Sequence, residues 1–151
     1  MSRQASFGYM VSQMVRLHKS VLSDKLEKFG ITYCQIGFIM QAVRHPGRTQ
    51  DEISTVLSVD KGATARAVAR LEKDGFIYRE ENPENRRQKL VYPSKKSLAV
   101  FDELHLVLRE SNELMLTGLS LGEREVLLDL ITRIIDNCRE RLDMPRVWEI
   151  L

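Results

Sequence analysis

The sequence contains few cysteines, few prolines and no long apolar run. Its two cysteines, Cys34 and Cys138, lie far apart and have no metal-ligand spacing, so two reduced thiols are expected. No apolar run approaches the roughly 18 residues that a membrane span needs. Residues 1–5 do not lead into the apolar core of a signal peptide. We therefore expect a cytoplasmic protein with no membrane partner.

An excess of charge of one sign is also absent, because the net charge of the chain is only +2. The charges are unevenly distributed, however. Residues 44–96 contain twelve basic and eight acidic side chains, whereas residues 97–151 contain six basic and eleven acidic ones. The basic segment favours a partner that carries phosphate, and the acidic segment should lie away from such a partner.

The middle third of the chain contains two short helical patterns followed by a charged hairpin. Thr49 and Glu52 form a capping box at the start of the first helix. Asp60 caps the second helix, and Gly75 ends it. Residues 76–92 then have the pattern of two short strands around a polar loop. This order is that of a helix-turn-helix followed by a β-wing, a unit that places its second helix in the DNA major groove.

Amphipathic helices are predicted on both sides of this unit. Apolar residues recur at steps of three and four over residues 7–29 and 94–117, and capping boxes at Thr32 and Ser120 open two more helices. The length and the 43% hydrophobic content suit one soluble domain. The predicted fold class is mainly α with a small β-wing.

The predicted domain comprises residues 1–151, with the winged helix-turn-helix at 32–93. The helices in 1–31 and 94–151 are surplus to that unit and strongly apolar on one side, so we expect them to pair in a homodimer. The alternative is a monomer in which these helices pack on one another.

Two segments carry a resemblance to a known family. "DKGATARAVARLEKDGFI" from residue 60 and "ENPENRRQKLVYPSKKS" from residue 81 resemble the MarR family of winged-helix transcription regulators, and the likeness covers nearly the whole chain. The resemblance implies a dimeric DNA-binding regulator that pairs through its end helices. The chain departs from the family pattern at Ala65, where Thr is common, and at Asn85, where Asp is usual.

The second helix of the motif is the predicted recognition helix. Thr64, Ala67, Val68 and Leu71 should face the core, and Arg66 is the forked donor best placed to bind guanine. Contact with DNA is expected from Lys61, Gly62, Ala63, Ala65, Arg66, Ala69, Arg70 and Lys73. The alternative for the two arginines is a soluble helix surface, or pairing with Glu72 and Asp74.

The wing and the start of the first motif helix should contact the DNA backbone. Arg86, Arg87 and Lys89 can reach phosphates or the minor groove. The alternative is a solvated hairpin of mixed charge. Thr49 and Gln50 lie at a helix N-terminus, where free N–H groups can bind phosphate, although capping alone explains Thr49.

No enzyme, metal site or cofactor is indicated, because the three histidines are isolated and no catalytic motif stands out. Cys34 is expected to be a partly buried structural thiol, with a redox switch as the alternative. The resemblance also implies a small aromatic or lipophilic effector, for which ordinary core packing of the same residues is the alternative. The candidate pocket residues are Phe7, Met10, Met14, Arg16, His18, Phe38 and Met40.

The function predicted from the sequence is a sequence-specific DNA-binding transcriptional regulator, a repressor that a small-molecule effector releases. It would bind double-stranded DNA with a pseudo-palindromic site. Two alternatives remain open: a winged-helix protein-interaction module without DNA binding, and a redox-switched regulator that acts through Cys34.

Overall fold

Helices begin directly after Thr49, Asp60 and Ser120, which the sequence predicts as caps, whereas the predicted cap Thr32 opens a short 3₁₀ turn instead. A computed structural model describes residues 6–147, so residues 1–5 and 148–151 of the predicted dimerisation segments lie outside it. A 3₁₀ turn at Tyr33–Gln35 precedes α2. The α-helices are α1 Phe7–Glu27, α2 Ile36–Arg44, α3 Gln50–Leu57, α4 Lys61–Lys73, α5 Lys95–Met115 and α6 Leu121–Arg141.

Capping hydrogen bonds fix four of these starts. The side-chain oxygens of Thr49, Asp60, Ser94 and Ser120 each accept a hydrogen bond from the backbone N–H three residues later, at 2.8 to 3.3 Å. Each bond satisfies an N–H that has no partner inside its helix. Gly75, just after α4, adopts a φ of 78°, the left-handed conformation that ends a helix at little cost to glycine.

The wing belongs to an antiparallel sheet of three strands in the order β1-β3-β2, with β1 Arg48–Thr49, β2 Ile77–Glu81 and β3 Lys89–Pro93. The hairpin of β2 and β3 confirms the predicted wing. The sequence did not predict β1, because two residues are too short to show strand periodicity. Thr49 pairs with Leu90, so the cap of α3 is also bonded to the wing.

The hydrophobic core joins the winged unit to parts of two long helices. Ile39, Ile53, Leu71, Phe76 and Val91 are buried at its centre. The second half of α1 and the middle of α5 complete the same core with Leu22, Leu26, Leu104 and Val107. The core therefore extends beyond residues 32–93.

The other ends of these helices leave apolar side chains in solvent. Phe7, Met10 and Leu17 are exposed on α1, and Leu114 is exposed on α5. Helix α6 exposes Leu121, Val126, Leu128, Leu130, Ile135 and Leu142, and its one buried residue is Arg139. Within residues 6–147, no helix is long and apolar enough to cross a membrane.

Candidate nucleic-acid interface

Helix α4 has one side in the core and the other in solvent. Thr64, Val68 and Leu71 are fully buried, and Ala67 is half-buried. This spacing of three and four residues is that of a helix with a single apolar stripe. The predicted inward side of the recognition helix is therefore confirmed.

The opposite side of α4 combines cations with residues that have little or no side chain. Ala63 is half-buried at the edge of this side. The small residues allow another surface to approach the helix backbone closely, while the cations can reach past them. The exposed residues are Lys61, Gly62, Ala65, Arg66, Ala69, Arg70 and Lys73.

The cations of this surface differ in how they are paired. The Nε of Arg70 donates to the Asp74 carboxylate at 2.7 Å, which is the predicted alternative for this arginine. The Nζ of Lys61 lies 3.4 Å from the Asp51 carboxylate, and both side chains are exposed. Arg66, in contrast, has no ion pair with any of the described residues. It is therefore the central cation of α4 that can take a new partner without breaking an existing bond.

The tip of the wing is a hydrogen-bonded turn. The backbone N–H of Asn85 donates to the Asn82 carbonyl at 3.1 Å, and that of Gln88 donates to the Asn85 carbonyl at 2.9 Å. The side-chain oxygen of Asn85 accepts from the backbone N–H of Arg87 at 3.2 Å. These bonds order the loop while Arg86 and Arg87 stay exposed.

Lys89 behaves differently from the two wing arginines. It lies directly opposite Glu81 in the hairpin, and its Nζ is 3.3 Å from the Glu81 carboxylate. Opposite charges in facing positions of a hairpin stabilise it slightly. The mixed-charge alternative therefore describes Lys89, whereas Arg86 and Arg87 are exposed without an ion pair to any described residue, and their contact with DNA stays a prediction.

The wing and the start of α3 enclose a cleft of about 120 Å³. Its lining brings Gln50 together with Arg87 and Lys89, but it also includes Asp51, whose carboxylate opposes the binding of an anion. Thr49 also lines the cleft, but its N–H and its hydroxyl both donate to the Glu52 carboxylate, at 2.7 and 2.9 Å. The cap therefore already occupies the polar groups of Thr49.

Arg79, on β2, joins the parts of this surface, a role that sequence reasoning missed. Its Nη1 donates to the Gln50 side chain at 3.0 Å, and its Nε donates to the Glu72 carboxylate at 3.1 Å. The hydrogen bond from Arg79 lowers the pKa of Glu72 below its usual range, despite the opposing effect of burial. The partners lie 7 and 29 residues from Arg79, so no local pattern predicts the contact.

Known proteins are similar to this chain in sequence and fold. The protein-family model for the MarR family matches residues 31–89. The HTH-type transcriptional regulator YybA of Bacillus subtilis is 25% identical over 92% of this chain and 89% of its own length. A crystal structure of the transcriptional regulator SlyA is 28% identical and superimposes with a TM-score of 0.87, over 92% of this chain and 98% of that one. Together these matches support a MarR-family winged-helix transcriptional regulator.

The chain also shares its fold with a MarR-family regulator from Listeria monocytogenes, which was crystallised with a 26mer DNA. That protein is 20% identical, with a TM-score of 0.85 over 91% of this chain and 92% of its own. The predicted winged-helix fold and family resemblance are therefore confirmed.

The candidate effector residues of this chain do not lie together. Phe7, Met10 and Met14 are exposed on the free half of α1, as is Arg16, whereas Phe38 is buried in the core. Met40 packs against the same core. The Nδ1 of His18 lies 3.0 Å from the Tyr33 hydroxyl, and its Nε2 is buried without a hydrogen-bond partner.

The predicted burial of Cys34 is wrong. The sequence predicts a partly buried thiol, but Cys34 is exposed in the 3₁₀ turn before α2. The turn directs its side chain outwards because Gln35, the next residue, turns inwards to complete the Thr32 cap at 2.8 Å.

Between residues 6 and 147, no three His, Cys, Asp or Glu residues are grouped as a metal ion would need.

Proposed function

We propose that this MarR-family regulator is a homodimeric repressor that binds a pseudo-palindromic DNA duplex and is released by a small aromatic or lipophilic effector. The observation that carries the proposal is the outer side of α4. Arg66 stands exposed there between the small residues Gly62, Ala65 and Ala69, and no carboxylate of the described chain engages it. A guanidinium in that position suits two-point contact with guanine in the major groove.

The wing and the start of α3 support contacts with the DNA backbone. Arg86 and Arg87 project into solvent from an ordered turn, and Gln50 lies across the cleft from Arg87. Lys73, at the end of α4, adds a further exposed cation. We assign phosphate contacts to these residues, with the arginines also able to reach the minor groove.

The free apolar surface supports the homodimer. Helix α6 exposes large apolar residues along its length, including Val126 and Leu130, and the free half of α1 exposes Phe7 and Met10. A monomer would leave these side chains in water, so their exposure argues against the alternative in which the end helices pack on one another. A twofold dimer would present two copies of α4 to half-sites about one DNA turn apart.

The effector remains a proposal from the family resemblance. Phe7, Met10 and Met14 form an apolar strip on α1, and the buried Nε2 of His18 is a polar group that has no partner within the described chain. A ligand that binds one dimer geometry more tightly would shift the spacing of the two α4 helices, and so lower DNA affinity.

Selection of bound duplexes from a random pool tests this function directly. We expect the selected duplex to be pseudo-palindromic. Its binding constant should fall as the salt concentration rises, and a plot of log K against log salt should steepen by about 0.9 for each phosphate contacted. A protein-interaction module would bind no duplex at any salt concentration. Adding aromatic acids or phenols to the winning complex then tests effector release.

The exposure of Cys34 favours one further candidate, a redox-switched regulator. Peroxide would then release the selected duplex from the parent protein, but not from Cys34→Ser. Equal release from both proteins, or release from neither, would exclude Cys34 as the switch.

A further inference from the structure

The only buried residue of α6 is a charged one. Arg139 is 4% exposed, and each of its three guanidinium nitrogens donates a hydrogen bond. Nη1 donates to the Ser58 hydroxyl at 2.7 Å, and Nη2 donates to the Thr55 carbonyl at 2.9 Å. Nε donates to the Pro145 carbonyl in the segment after α6. The bonds to Thr55 and Ser58 join α6 to the end of α3, across more than eighty residues of sequence.

The surroundings of this guanidinium are unusual for a buried cation. No carboxylate of the described chain pairs with it, and all three acceptors are neutral. The negative ends of two helices take the place of a counter-ion, because Arg139 lies in the last turn of α6 and binds the last turn of α3. A buried cation is costly to desolvate, and hydrogen bonds to its N–H groups offset part of that cost, so the three bonds favour one placement of α6 against α3.

These bonds join the proposed dimer surface to the DNA-reading unit. Helix α3 packs against α4, and the left-handed Ser58, with a φ of 54°, begins the turn between them. A change in the angle between α6 and α3 would therefore move α4 as well. Arg124 bonds the start of α6 to Glu113 of α5 and to the Leu116 carbonyl just after it, so Arg139 fixes the other end of α6, against α3.

We propose that Arg139 is a positioning residue that sets the angle between α6 and the helix-turn-helix, and thereby the half-site spacing that the dimer accepts. The inference rests on the proposed DNA-binding homodimer. Without these bonds, each α4 could still enter a groove, but the two helices would no longer be held at one separation.

Duplexes that differ only in spacing test the proposal. Two half-sites selected by the parent protein are separated by the preferred spacer, and by one base pair more or fewer, which moves a half-site by about 3.4 Å and roughly a tenth of a turn. The parent protein should bind the duplex with the preferred spacer more tightly than the two duplexes with altered spacers. In Arg139→Gln we expect this preference, measured as the ratio of the two affinities, to be about tenfold smaller. Its affinity for a non-specific duplex should change by less than about twofold, because the variant keeps every residue that is assigned to phosphate.

Arg141→Gln is the matched control, since Arg141 lies in the same last turn of α6 but is exposed. It makes the same change of charge and should keep the parent's spacing preference. Arg139→Lys keeps the charge with a single donor group and should restore only part of that preference.

Ser58→Gly is a second variant, in which the substituted residue is exposed and Arg139 itself is unchanged. Ser58 is exposed and left-handed, so glycine fits its backbone while the acceptor of Arg139 is removed. If Arg139→Gln does not fold, broader spacing tolerance in Ser58→Gly supports the proposal, and an unchanged preference overturns it. A folded Arg139→Gln that keeps the parent's preference also overturns it. A parent protein that binds no duplex refutes the proposed function instead.

Discussion

Replacement of Arg66 by alanine removes the side chain on which the proposed DNA reading most depends. Arg66 is exposed on α4 and makes no ion pair with the described residues, so its removal leaves no carboxylate unpartnered. Surface changes of this kind usually alter the free energy of unfolding by less than about 0.5 kcal/mol. Weaker DNA binding by Arg66→Ala would therefore report the DNA contact rather than the fold.

The size of the effect follows from the geometry of the contact. A two-point bond from arginine to guanine contributes about 1–3 kcal/mol, and a dimer makes it in both half-sites, so about 2–6 kcal/mol is expected in total. That corresponds to a fall of roughly 30-fold or more in affinity. Arg70→Ala is the matched control, because Arg70 is already bonded to Asp74 and must leave it to reach DNA. We expect its affinity to fall by less than about tenfold.

Fluorescence anisotropy with the selected duplex, and with single base-pair variants of it, separates contacts with bases from non-specific electrostatic attraction to phosphate. Arg66→Ala should bind the preferred duplex more weakly and discriminate less at one base pair in each half-site. Binding of the preferred duplex as tightly as by the parent protein would refute the assigned role of Arg66. An equal fall in affinity for every duplex would also refute it, since that would mean a phosphate contact.

Three further results are expected. Val126→Glu should give a folded monomer in sedimentation velocity, because Val126 is 60% exposed in the single chain but would be buried by a second copy; a dimeric variant would contradict this. Replacing both Arg86 and Arg87 by alanine should flatten the salt dependence by about one unit of slope for each phosphate that the wing no longer binds, and an unchanged slope would mean that the wing does not touch DNA. Glu72→Gln should remove a small stabilisation that the parent shows at neutral pH. Because the folded-state pKa of Glu72 is lowered from 4.5, that stabilisation is present above pH 4.5 and disappears as the pH falls through the lower value. Because the side chain of Glu72 is 37% exposed, this contribution to the free energy of unfolding should be under about 1 kcal/mol when measured by urea titration. If the free energies of unfolding of the parent and of Glu72→Gln change in parallel with pH, the contribution is excluded.

The elements predicted from sequence are those whose signals are local. A cap and the N–H that it binds lie three residues apart, so Thr49, Asp60 and Ser120 identify helix starts directly. The inward side of α4 is also predictable, since Val68 and Leu71 repeat at helical spacing. The DNA-contacting roles assigned to the outer side remain predictions, because exposure alone does not show a bound partner.

The features that sequence does not predict depend on distant partners or on very short segments. Arg139 looks like an ordinary basic residue near a helix C-terminus, yet two of its three acceptors, Thr55 and Ser58, lie at the end of α3 and directly after it. Strand β1 has only two residues, and its pairing with Val91 and Leu90 has no sequence period. Sequence reasoning places Cys34 inwards because thiols are usually buried, but its neighbour Gln35 takes the buried position.

Two of these distant interactions act on the same short helix. Arg79 binds Gln50, the first residue of α3, and Arg139 binds Thr55 and Ser58 at its end. An eight-residue helix has little stability of its own, so its position depends on the groups that hold its ends. Arg79 connects α3 to the wing strand and to the end of α4, whereas Arg139 connects it to α6. Helix α3 is thus one element through which a change in α6 can reach α4, although neither of the two arginines belongs to the helix-turn-helix.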